Sequence, residues 1–113
     1  MTESERKEIR TAFREAVNMA PKELARWLES EESQSVGWRR EGEHEAVGHR
    51  SGRRIVELKR RKVAALSDDD YAHMRKVIGY VRRHTAQRPE GDIKQTRWRF
   101  SLMNWGHDPL KGS

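Results

Sequence analysis

The side chains best placed to do chemistry in this chain are cationic. Arg53-Arg54 and Arg60-Arg61 recur seven residues apart, and Arg75-Lys76 and Arg82-Arg83 repeat that spacing farther on. Seven residues return a helix to nearly the same face, so at about 1.5 Å of rise per residue each segment would carry two cationic rungs roughly 10 Å apart. Such a face can neutralise the phosphates of a nucleic acid and release their counterions. It can equally be a solvated surface with no partner, since long cationic stems commonly cover protein surface. Trp38-Arg39-Arg40 sets an aromatic among cations, a combination suited to base stacking or groove insertion, although packing over the core is the commoner fate of a tryptophan. Gly48, His49, Arg50, Ser51 and Gly52 lead into Arg53-Arg54, where an expected helix N-terminus would offer free N–H groups and a favourable dipole to an anion. The expected nucleic-acid-binding set is therefore Trp38, Arg39, Arg40, His49, Arg50, Ser51, Gly52, Arg53, Arg54, Arg60, Arg61, Arg75, Lys76, Arg82 and Arg83.

Other chemistries are poorly served. Gly48 and Gly52 have three intervening residues where a Walker A loop needs four, and Gly37 and Gly42 have the spacing but are followed by Glu43-His44, so no nucleotide cofactor is expected. There is no cysteine, which removes disulfides, thiolate metal sites and a cysteine nucleophile. The histidines at 44, 49, 73, 84 and 107 lack paired-ligand spacing, so no metal site is expected either. His84 follows Arg82-Arg83 and would add pH-dependent charge to that face. Asn104, His107 and Asp108 form the one compact polar cluster resembling an active site. A folded-back turn uses the same residue types, and that structural role is the expected one. The chain is read as a non-enzyme, with a His107/Asp108 enzyme kept as the remote alternative.

The elements that must position these groups are helical. Ile9, Ala12, Phe13, Ala16 and Val17 follow helical spacing over residues 4–17, with Thr2 or Ser4 available as N-cap. Pro21 is tolerated only in a first turn, so residues 18–20 are a turn and a second helix runs over 21–29. Its flanking Glu23, Glu29, Glu31 and Glu32 would repel phosphate, which excludes a helix-turn-helix reader. Residues 31–50 read as a long glycine-containing basic loop. Ser51 is the expected N-cap of a helix over 52–65, and Ser67 starts another to 85, with Asp68, Asp69 and Asp70 in its first turn complementing the dipole. A short helix over 92–104 and a folded-back tail that shelters Trp105 complete an all-α class. The expected organisation is one domain, 1–113, made of a helical pair (1–30), the loop (31–50), a basic helical pair (51–86), and a short helix with its tail (87–113).

Composition sets the limits. The chain has 113 residues, 37% of them charged, and only 19 are Leu, Ile, Val or Phe, so the helical stripes must be supplemented by Trp, Met and Tyr to make a core. The formal charge of +6 is unevenly spread. Residues 1–35 carry 6 basic and 8 acidic groups, whereas 36–66 carry 9 and 4. No apolar run approaches the ~18 residues of a membrane span, and the N-terminus lacks the order of a signal peptide, so a cytoplasmic protein is expected, nucleoid-associated if the source is bacterial.

Five stretches carry a family resemblance: Ser35-Val36-Gly37, Val47-Gly48-His49 with Ser51-Gly52-Arg53-Arg54-Ile55-Val56, His73-Met74-Arg75-Lys76-Val77, Arg83-His84, and Trp98 with Ser101-Leu102-Met103-Asn104-Trp105-Gly106-His107-Asp108-Pro109. Together they resemble a family of small uncharacterised proteins, a domain of unknown function whose members are often labelled DNA-binding. Ala46 and Lys59 depart from its pattern, which has a small hydroxyl residue and an aliphatic one there. The expected function is DNA binding, with RNA second, largely through phosphates and without sequence preference. The alternative is an interaction module docking an acidic protein.

Overall fold

In the computed structural model, which describes residues 1–111, the helices start where their caps dictate. Thr2 Oγ1 accepts the Glu5 N–H at 3.1 Å and opens α1 (Glu3–Ala16), whose Ile9 and Phe13 turn inward. Pro21 occupies the first turn of α2 (Pro21–Leu28), burying Leu24 and Leu28, where its missing N–H costs nothing. Ser30 caps the five-residue α3 (Glu31–Ser35). After the loop of residues 36–46 come α4 (Val47–Arg60), a 3₁₀ turn (Val63–Ala65) and α5 (Asp68–Thr85). Ser67 and Asp70 cap α5 reciprocally, each side chain accepting the other's backbone N–H at 3.1 and 2.9 Å. Thr96 caps the last helix, α6 (Arg97–Asn104). No strand occurs among the described residues, and the class is all-α as the periodicity predicts. Gly112 and Ser113, the end of the expected 87–113 tail, lie outside the described residues.

Three boundaries differ from the sequence reading. The 31–50 loop contains α3, which is too short for periodicity to register. The basic helix begins at Val47, not 52, and ends at Arg60, not 65. Ser51 is therefore no N-cap, and Gly48, Ser51 and Gly52 are buried inside α4. The glycines argue for loop by propensity, but they are there for close approach. A Cβ on Gly48 would lie 2.8 Å from Trp105 Nε1, and one on Gly52 only 2.4 Å from the Asn104 carbonyl oxygen. Finally α6 begins at 97, because Asp92 Oδ1 accepts the Lys94 N–H at 2.9 Å and shapes residues 92–96 as a turn that buries Ile93.

α1 lies along α5 and α2 along α4, while α6 touches α2, α3, α4 and α5. The core unites Phe13, Leu24, Ile55, Val77 and Leu102 with Tyr71, Met74 and Trp105. Each fully buried large side chain contributes about 2 kcal/mol over its exposed state. Val63, inside the helix expected over 52–65, instead lies 52% exposed on the 3₁₀ turn.

Candidate nucleic-acid interface

The cations of α4 and its exit are mostly spoken for. Arg53 Nη2 lies 2.5 Å from Glu45 Oε1, and Arg50 Nη2 lies 2.9 Å from Glu43 Oε2. Arg54 reaches Asp69 at 2.8 Å and Asp70 at 3.3 Å, and Arg61 reaches Asp70 at 2.7 Å. The Ser67 backbone N–H first, then Arg61 and Arg54, hold the Asp70 carboxyl down at about 2 against the opposing cost of burial. Lys59 turns inward, donating to the Val17 and Met19 carbonyls at 3.0 and 3.1 Å, and burial lowers its pKa. A cation can stand at an aliphatic position because it ties down the chain leaving α1. Arg60 is the member of the α4 set with no ion pair among the described residues.

His49, Ser51 and Gly52 of the expected set are engaged within the protein. His49 Nδ1 meets Glu45 Oε2 at 2.5 Å and its Nε2 meets the Leu28 carbonyl at 2.7 Å. Ser51 Oγ and His73 Nε2 lie 2.9 Å apart, and Gly52 sits against Leu28 and Asn104. Residues 48–52 thus lie within the first turns of α4, not ahead of the helix, and Gly48 and Gly52 form a packing seam against Trp105, Leu28 and Asn104.

α5 presents the opposite picture. Residues 71–89 contain no acid, and Arg75, Lys76, Arg82 and Arg83 stand exposed with no ion pair among the described residues. Gly79 sits between the two rungs. The loop of residues 36–46 arches beside this face. Arg39 is drawn into it, donating from Nε to the His44 carbonyl at 2.8 Å and from Nη2 to the Gln34 carbonyl at 2.6 Å. Gly37, at φ 99°, makes the turn that leaves Trp38 69% exposed and not, as expected, packed on the core. Arg40 and Lys76, with Arg50 and Arg54, ring a cleft of about 160 Å³ walled by Val47, Ser51, His73 and Trp105. No acid lines it. Burial first, then Arg54 and Lys76, pushes His73 down to about 4, so this wall is uncharged at neutral pH.

One feature was missed in the sequence. His73, Trp105, Tyr80, His84 and Trp98 stack in a column with successive ring centroids 6.4, 4.3, 5.1 and 6.0 Å apart. The Arg88 guanidinium closes it, 5.7 Å from the Trp98 ring. The signal was the 73, 80, 84 spacing on one face of α5. Within the column His84 is held between Tyr80 and Trp98, and burial lowers its pKa.

The Asn104–Asp108 turn is a clasp. Asn104 Oδ1 accepts from Trp27 Nε1 at 2.8 Å and Ser33 Oγ at 2.5 Å, while its Nδ2 donates to the Ser33 carbonyl at 3.0 Å. His107 Nδ1 lies 2.8 Å from the Ala16 carbonyl oxygen, and both carboxylate oxygens of Asp108 take Arg99 at 3.1 Å. Gly106 needs φ 81° and passes so near Val17 that a Cβ would lie 2.7 Å from its Cγ1. These bonds hold the folded-back turn against α1, α2 and α3.

Among the described residues no group of three or more His, Cys, Asp or Glu could hold a metal ion, and no helix is long and apolar enough to cross a membrane. The family model described as protein of unknown function (DUF3140) matches residues 12–103, and the chain belongs to that family. The Asn104–Pro109 ending lies just outside the matched stretch. No curated protein and no solved structure matches the chain.

Proposed function

We propose that this DUF3140 member binds DNA through phosphate contacts made by the outer face of α5 and the tip of the 36–46 loop. The observation that carries the reading is the acid-free stretch 71–89, whose Arg75, Lys76, Arg82 and Arg83 have no ion pair among the described residues. Four unneutralised cations on one surface are a standing electrostatic cost unless a polyanion shares them. Arg40 extends the surface across the cleft it shares with Lys76, and Trp38 adds the exposed aromatic. Phosphate contacts position without reading sequence, and no Asn or Gln accompanies the cations on α5 to read adenine edges. Titration of fluorescently labelled DNA at increasing salt tests this. Log K should fall linearly against log salt with a slope of about −3 for four phosphates. Affinity that ignores salt, or no binding at low salt, would sink the reading.

A further inference from the structure

We infer that the DNA is taken as a single strand, with an unpaired base stacked on Trp38 and a neighbouring phosphate seated between Arg40 and Lys76. This rests on the nucleic-acid reading above and goes beyond it, because phosphate contacts alone accept a duplex equally well.

Trp38 differs from the other three tryptophans. Trp27 donates to Asn104, Trp98 donates to the His84 carbonyl, and Trp105 stacks on Tyr80. The indole of Trp38 has no hydrogen bond or ring contact, and it is the one aromatic side chain with large exposure among the described residues. It is nevertheless presented on a braced tip. The Trp38 carbonyl accepts the Val47 N–H at 2.9 Å, the Arg39 guanidinium ties the loop to Gln34 and His44, and Gly37 lies so close to Ala46 that a Cβ on it would come 3.0 Å from the alanine methyl. Little ordering remains to be done when a ring stacks on it, which favours affinity.

The cleft supplies the second contact. Arg50 and Arg54 on its rim are held by Glu43 and Asp69, but Arg40 and Lys76 are not paired among the described residues. At about 160 Å³ it accepts a phosphate and excludes a base pair. Val47 and Trp105 wall both this cleft and the hollow that Trp38 borders, so the two contacts are neighbours. A duplex hides the base faces that Trp38 would cover, and exposing one means unstacking it, whereas a single strand offers a free face at every nucleotide.

The test is anisotropy of a labelled oligothymidylate and of a duplex of equal length at one salt concentration, with the wild type, Trp38→Ala and Trp38→Phe. The wild type should prefer the single strand by about tenfold, the stacking contribution of one base. Trp38→Ala should erase that preference by weakening the single-strand complex about tenfold, while Trp38→Phe should retain part of it. Equal or tighter duplex binding by the wild type, or an undiminished preference in Trp38→Ala, overturns the inference and leaves the phosphate reading standing. Binding of neither form overturns both. Circular dichroism should show Trp38→Ala folded, since its indole contributes little to the core.

Discussion

α4 and α5 carry basic doublets at the same seven-residue spacing, yet the two helices spend their charge differently. On α4 and its exit, Arg53, Arg54 and Arg61 face Glu45, Asp69 and Asp70, so the cations close the fold. On α5, Arg75, Lys76, Arg82 and Arg83 make no ion pair among the described residues. Charge spacing locates a helix face. What that face does is decided by acids brought to it from elsewhere in the chain, and the acids nearest α4 come from the loop and from the N-terminus of α5.

That contrast can be broken most severely on the α4 side. Replacing both Arg54 and Arg61 with Ala leaves the Asp70 carboxylate, 4% exposed, without a cation, and urea unfolding should show a loss of about 3 kcal/mol. The next largest effect is on pH. His73 has a folded pKa near 4, below its ordinary 6.5, so between those values the unfolded chain binds a proton that the fold refuses. Stability should therefore fall by about 3 kcal/mol as pH drops through that window, and His73→Gln should flatten this part of the curve. Asp70 continues the loss at lower pH: with its folded pKa depressed to about 2 from 3.8, its contribution is complete above 3.8 and lost as pH falls toward 2. Smaller still, Ala46 is the N-cap of α4 and offers no side-chain acceptor, so Ala46→Ser should add about 1 kcal/mol in the same assay. The smallest effect belongs to the α5 face, where changing Arg75, Lys76, Arg82 and Arg83 together to Gln should move stability by no more than about 0.5 kcal/mol.

Where helix signals are local, the sequence was legible. Thr2, Pro21 and Ser67 mark their helices, and the apolar spacing around Phe13 and Val77 gives the buried faces. The start of α4 was not legible, because Gly48 and Gly52 read as loop until Trp105 and Asn104, more than fifty residues away, are seen to press on them. The interface was half legible for the same reason. The doublets are visible in the chain, but the ion pairs made by Arg53, Arg54 and Arg61, and the turn at Gly37 that turns Trp38 outward, depend on tertiary placement.

The division of labour between the two helices is tested most directly by the salt dependence of DNA affinity in two variants measured side by side. One carries Arg75, Lys76, Arg82 and Arg83 changed to Gln, the other Arg50 and Arg53 changed to Gln. The slope of log K against log salt should shrink by about 3 in the first, the loss of four phosphate contacts, and stay within about 0.5 of wild type in the second. A first variant that keeps its slope while the second loses it would contradict the assignment of the binding face to α5.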